Sequence, residues 1–138
     1  MKPLCKNFCR SIIPRRFSSS VNPDEVNKFS AIGNQWWNVR SSGGSSPLHT
    51  MNPTRVNYIR QQLAAKYRRE DIFPTSQLKD LKILDVGCGG GLLSESLSRL
   101  GANVKGIDPS AANVAVAKLH SSKDPLTSTI AYEQTTIG

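Results

Sequence analysis

The chain has 138 residues, 38% apolar and 7% aromatic, enough for one small domain with a modest core or for part of a larger one. Its net charge of +8 is unevenly spread: residues 1–23 carry Lys2, Lys6, Arg10, Arg15 and Arg16 with no acid, whereas the rest carries 13 basic and 10 acidic groups. That near balance argues against a nucleic-acid partner, three cysteines do not make a disulfide framework, and no apolar run reaches the ~18 residues of a membrane span.

The first segment, residues 1–21, is basic, serine-rich and free of acid, the pattern of an organellar presequence. Leu4, Phe8 and Ile12 recur every four residues, allowing a basic amphipathic helix interrupted at Pro14. Arg15-Arg16-Phe17-Ser18 resembles a matrix-peptidase site cut after Phe17, so a mitochondrial destination is expected.

Residues 22–75 read as a helical extension. Asn22-Pro-Asp-Glu25 is a strong helix start, with Asn at the cap and Pro in the first turn. Val26, Phe29, Ile32 and Trp36 then give one apolar face, and Trp36-Trp37 ends the element. Residues 40–46 form a Ser/Gly-rich flexible loop. Asn52 and Pro53 are expected to open a second helix with an apolar stripe of Val56, Ile59, Leu63 and Tyr67. Its Arg60, Lys66, Arg68 and Arg69 read as a solvated face.

From residue 76 to residue 138 the pattern changes to alternating strands and helices, an α/β domain. Lys82–Val86 is a short apolar strand leading into glycines 87, 89, 90 and 91, and Leu93, Leu97 and Leu100 mark the helix that follows. Glycines allow a sharp turn with positive φ and close approach of a ligand to the backbone. The dinucleotide pattern G-x-G-x-x-G fails in both frames, since Leu92 or Ser94 falls at the third glycine. A phosphate-cradling loop would end in Gly-Lys-Ser/Thr, and no lysine lies between Lys82 and Lys105. What remains is Asp85-x-Gly87-x-Gly89-x-Gly91, which resembles the first motif of the class I S-adenosylmethionine-dependent methyltransferases.

Gly101 sits where a helix-ending left-handed residue belongs, and Asn103–Ile107 reads as a second strand ending on Asp108. A carboxylate there can accept the hydrogen bonds of a ribose diol, or cap the next helix, for which Asp108-Pro-Ser110 is also suited. Connected parallel strands bring both loops to the carboxyl ends of the sheet, where open α/β sheets bind ligands. A helix over 110–120 presents Val114, Ala117 and Leu119, and 129–134 is a third strand. Cys88, inside the loop, fits as a small side chain rather than a nucleophile. His49 and His120 are too few for a zinc site, and His49 reads first as a hydrogen-bonded structural histidine.

Phe29-x6-Trp36-Trp37, Pro47-Leu-His49, Asn52-Pro-x-Arg55, Leu84-Asp-Val-Gly-Cys-Gly-Gly-Gly91, Gly106-x-Asp108 and Ala117-Lys-Leu-His120 occur in order. Together they resemble the amino-terminal half of the ubiquinone-biosynthesis O-methyltransferases. The resemblance implies a Rossmann-like sheet, S-adenosyl-L-methionine as cofactor, and Arg55, Asp85, Gly87, Gly89, Gly91 and Asp108 as its contacts. Arg55 would pair with the cofactor's methionine carboxylate. It further implies methylation of a polyprenylated dihydroxybenzoate or catechol intermediate, the company of other ubiquinone-biosynthesis proteins, and peripheral association with the matrix side of the mitochondrial inner membrane. Trp36 and Trp37 would either line a path for the prenyl tail or pack the first helix. The family's Glu-His motif and any magnesium ligands have no counterpart here. The chain therefore reads as the first three strands of a longer sheet, with the strand ending at Val86 left at an open edge, and is expected to transfer no methyl group by itself. A non-catalytic binding or scaffold role in the biosynthetic complex is the alternative.

Overall fold

A computed structural model describes residues 22–31, 33–39, 46–69 and 74–137. The expected presequence, Ile32 and loop positions 40–45 lie outside them. Three strands, β1 (Lys82–Val86), β2 (Asn103–Asp108) and β3 (Ala131–Gln134), form one parallel sheet in the order β1-β2-β3. Lys82 pairs with Asn103 and Val86 with Ile107, while Lys105 pairs with Ala131 and Asp108 with Gln134. Among the described residues β1 is therefore an edge strand.

Parallel strands need crossovers, and two helices supply them. α3 (Leu92–Arg99) joins β1 to β2, and α4 (Ala111–Ser121) joins β2 to β3. α4 begins one residue later than its sequence suggests because Ser110 is its N-cap, accepting from the Asn113 N–H. Val114 and Ala117 are buried, but Leu119 is exposed, off the stripe that continues to Ser121. Gly101 does end α3 at φ +91°; a Cβ there would come 3.0 Å from the Lys79 Cα.

The core lies on one face of the sheet. Leu78, Leu97, Ala102, Val104, Val114, Ala117, Ile130 and Tyr132 form it, with Ile59 and Leu63 packed on from outside. Leu84 and Val86 point to the opposite face and are about half exposed.

α1 (Pro23–Ser30) begins as expected, with the Asn22 side chain accepting from the Asp24 N–H. A 3-10 turn, Gly33–Trp37, carries both tryptophans. The second helix differs from expectation: α2 runs from Ser46 to Lys66 and contains Pro53. Proline removes one helical hydrogen bond and crowds the preceding turn. Here that turn is held by other bonds. Thr50 Oγ1 donates to the Ser46 carbonyl, and Asn52 Nδ2 donates to Ser96 Oγ at 2.9 Å on α3. The basic residues of α2 are also not uniformly solvated. Arg60 donates to Gln77 Oε1 at 2.6 Å and Arg69 to the Gln77 carbonyl at 3.3 Å, tying the helix to the segment that leads into β1. Tyr67 lies past the helix end and is largely exposed; Ala64 is buried instead.

Candidate cofactor-binding site

The loop between β1 and α3 takes its shape from its glycines. Gly87, Gly89 and Gly91 have φ of +75°, +54° and +89°, a region that side chains with a Cβ enter only at a cost. The Gly87 and Cys88 N–H groups both donate to the Ile107 carbonyl, at 2.8 and 3.0 Å, fastening the loop to the end of β2.

A cavity of about 410 Å³ opens at the carboxyl ends of β1 and β2. Of the six expected contacts, five line it: Arg55, Asp85, Gly87, Gly89 and Asp108. Gly91 does not. It precedes α3 as its N-cap and faces the other way, where a Cβ would lie 2.6 Å from the Tyr132 hydroxyl and 3.2 Å from the Ala117 Cβ. Its requirement for glycine comes from packing.

Asp85 and Asp108 are both buried, and their partners differ. Asp85 Oδ2 accepts from the Ser94 hydroxyl at 2.6 Å. Burial raises the Asp85 carboxyl above its ordinary range, against the opposing pull of the Ser94 hydrogen bond and the positive charge of Arg55. Asp108 is held by three donors: the Gly89 N–H at 2.9 Å on Oδ2, and the Ser110 N–H at 2.9 Å and Asn113 Nδ2 at 3.3 Å on Oδ1. It supports the start of α4 by this turn, although Ser110 is the cap. Arg55 reaches the cavity from α2 with no hydrogen bond or ion pair to another described residue, leaving its guanidinium open to an anionic group.

The tryptophans explain the middle of the loop. Trp36 is 5% exposed and lies flat against the backbone: a Cβ on Gly89 would come 2.4 Å from its ring, as would one on Gly90. Its Nε1 donates to Asn113 Oδ1 at 2.9 Å. Trp37 Nε1 donates to the Gly90 carbonyl at 3.0 Å, and its ring stacks on His120 with centroids 3.5 Å apart. His49 Nε2 donates to the Trp36 carbonyl at 2.7 Å, the structural role expected of it. His120 meets the buried Glu95 at 2.7 Å. Both tryptophans thus pack the extension onto the loop. Asn113, Ser94 and Tyr132 had no signal in the sequence beyond their place in helices and a strand.

Cys88 is buried, and its thiol is pushed up to about 12, first by burial and then by the charges of Asp85 and Asp108. It stays protonated at neutral pH, which fits a steric role and not a nucleophilic one. Among the described residues no three His, Cys, Asp or Glu side chains gather as metal ligands.

A methyltransferase domain family matches residues 84–137. A mitochondrial ubiquinone biosynthesis O-methyltransferase from Arabidopsis thaliana is 49% identical over 119 residues, covering 86% of this chain and 36% of the relative. A ubiquinone biosynthesis O-methyltransferase from Cereibacter sphaeroides is also 49% identical over 119 residues, with 86% and 46% covered. Over those 119 residues the chain is similar to the ubiquinone biosynthesis O-methyltransferases. It spans less than half the length of these relatives. Among solved structures, magnesium protoporphyrin IX methyltransferase from Synechocystis with bound S-adenosylmethionine is similar in fold. It matches with a TM-score of 0.57 at 19% identity, over 86% of this chain and 57% of that one. The α/β fold is thus that of the S-adenosylmethionine methyltransferases.

Proposed function

We propose that this chain forms the cofactor-binding part of an O-methyltransferase of ubiquinone biosynthesis, binding S-adenosyl-L-methionine in the cavity above β1 and β2. The single observation that carries the reading is the convergence of Arg55, Asp85, Gly87, Gly89 and Asp108 on that cavity. The residues suit the ligand end by end. A guanidinium with no hydrogen bond or ion pair to a described residue matches a carboxylate, and a buried carboxylate matches a cationic centre. Gly87 leaves open space where any side chain would intrude, and Asp108 offers an acceptor to a ribose hydroxyl.

When bound, the cofactor supplies a methyl group activated on its sulfonium. The chain's own contribution is to bind and orient it: Arg55 fixes the amino-acid end, Asp108 the sugar, and Trp36 backs the loop between them. No catalytic base is assigned. If the reaction uses magnesium, its ligands come from outside the described residues. The acceptor we assign is a polyprenylated dihydroxybenzoate or catechol, on the strength of the relatives' names. Residues 22–75 act as an extension that carries Arg55 and Trp36 onto the domain of residues 76–138.

The acid-free residues 1–21 and the mitochondrial Arabidopsis relative support a mitochondrial location. A prenylated acceptor in turn favours peripheral association with the matrix side of the inner membrane, alongside other ubiquinone-biosynthesis proteins. No described helix is long and apolar enough to cross a membrane. Calorimetric titration with S-adenosylhomocysteine and 5′-methylthioadenosine tests the site. Asp108→Ala is expected to weaken both about tenfold or more, the cost of one lost charge-assisted hydrogen bond. Arg55→Ala should weaken only the former, which alone has the carboxylate. Wild-type affinity in Asp108→Ala would overturn the assignment.

A further inference from the structure

The loop beside the cofactor cavity ends in three consecutive glycines, Gly89, Gly90 and Gly91, the residue type with the most backbone freedom to lose. Such a segment keeps one shape only where other groups hold it. The Gly89 N–H donates to Asp108 at 2.9 Å, and the Gly91 N–H donates to the Cys88 carbonyl at 3.0 Å. The Gly90 carbonyl is held from the extension, by the Trp37 indole N–H at 3.0 Å.

Trp37 is in turn gripped by the two histidines of the chain. His120 lies parallel to its face, with centroids 3.5 Å apart and planes 3° apart, and His49 meets it edge-on at 5.9 Å and 72°. Each imidazole is itself tied. His49 Nε2 donates to the Trp36 carbonyl, and His120 Nδ1 donates to Glu95 Oε1 at 2.7 Å. Glu95 is 2% exposed, with Arg99 3.7 Å from its other oxygen. Burying a carboxylate that deeply is costly unless its partners stay in place, so Glu95 fixes the imidazole ring.

The Ala117-Lys-Leu-His120 segment thereby meets the loop twice from one face of α4. Ala117 occupies the space that Gly91 leaves free, and His120 backs the indole bonded to Gly90. Gly90, Trp37, Glu95 and His120 are not among the residues that line the cavity, whereas Gly87, Cys88 and Gly89 are. The effect of His120 on a ligand must therefore pass through Trp37 and the loop.

We propose that His120 is a positioning residue for the cofactor loop: held by Glu95, its ring keeps the Trp37 indole flat, and the indole N–H keeps the Gly90 carbonyl in place before the cofactor arrives. A loop ordered in advance loses less affinity to ordering on binding. This rests on the reading of the cavity as the cofactor site.

The experiment is calorimetric titration of the full chain with S-adenosylhomocysteine, at a temperature where circular dichroism shows each variant folded. His120→Gln keeps an N–H for Glu95 and removes the flat ring. It should weaken binding about threefold or more, the scale of one stacked ring pair. His120→Phe, which restores a ring on the indole, should recover part of that loss. Trp37→Phe keeps a ring against His120 and removes the N–H, and should also weaken binding about threefold or more, the scale of one neutral hydrogen bond. Because His120 acts through Trp37, the double variant should bind within about twofold of Trp37→Phe alone.

A merely structural role would lower the unfolding midpoint of His120→Gln and leave its affinity at the wild-type value, which overturns the inference. Losses that multiply in the double variant overturn it too, as does binding by His120→Phe no tighter than by His120→Gln. If His120→Gln does not fold, wild-type affinity in Trp37→Phe still refutes the link to Gly90, and a loss there supports it. In each of these cases binding by the wild type leaves the cavity reading standing. No binding of S-adenosylhomocysteine by the wild type removes both.

Discussion

Replacing glycines of the loop one at a time by alanine separates backbone strain from collision. At Gly87, φ is +75° and an added Cβ meets nothing within 4 Å, so the cost is left-handed strain alone, about 1–2 kcal/mol. At Gly89, φ is +54° and the Cβ would lie 2.4 Å from Cη2 and 2.7 Å from Cζ2 of the buried Trp36. Overpacking against a ring that cannot move away adds about 1–3 kcal/mol. Gly89→Ala should therefore destabilise by about 2–5 kcal/mol in all, against the roughly 5–15 kcal/mol that holds most domains together. Urea unfolding of the two variants measures the gap. The atoms that collide at Gly89 belong to the six-membered part of the indole, while those nearest Gly90 are Cγ, Cβ and Cδ2. Phenylalanine at position 36 lacks the fused ring but keeps the atoms near the backbone. In a Trp36→Phe background the Gly89→Ala penalty should fall to that of Gly87→Ala, while Gly90→Ala should stay costly. If Gly89→Ala is no worse than Gly87→Ala in the wild-type background, the packing of Trp36 on the loop is refuted.

Asp85 gives a pH-dependent expectation. Its carboxyl is raised by burial, so the folded state favours the protonated form and the stability Asp85 contributes is lost as pH rises from its ordinary value of 3.8 through the higher folded value. Asp85→Asn keeps an oxygen for the Ser94 hydroxyl and should gain stability relative to wild type as pH is raised across that window, while weakening cofactor binding. Unfolding midpoints of the two proteins from acid to neutral pH measure this, and a relative gain that shrinks with rising pH would contradict it. Cys88, with its thiol pushed up to about 12, should resist iodoacetamide in a Cys5→Ser, Cys9→Ser background at pH 9.0 and react promptly once urea is added. Rapid alkylation of the folded protein at that pH would show the thiol to be more accessible than the structure has it.

The parts of the site legible in the sequence are those made by neighbours in the chain. Lys82–Val86 and the glycines after it declare a strand and a turn through local composition, and Asp108 follows from the end of the next strand. Gly91 shows where this stops. It fits the spacing of a ligand loop, yet what excludes a side chain is the Tyr132 hydroxyl, 41 residues away by numbering. The start of α2 was hidden for a similar reason: Pro53 signals a helix boundary locally, and one of the bonds that hold the helix there runs from Asn52 to Ser96 on α3. Arg60 and Arg69 read as solvent-facing because Gln77, which takes them up, lies beyond a proline. Asn113 is marked by nothing in its own segment. Its partners, Trp36 and Asp108, are brought to it from separate parts of the fold.

The placement of the tryptophans has a practical side. The chain has two, and both sit on the glycine loop, one flat against Gly89 and Gly90 and one bonded to the Gly90 carbonyl and stacked on an imidazole. Intrinsic tryptophan emission is therefore an optical signal from the cofactor loop itself rather than an average over the fold. Ligand binding and release of the extension should each leave a distinct mark on its intensity and colour, so occupancy of the site can be followed without any added label.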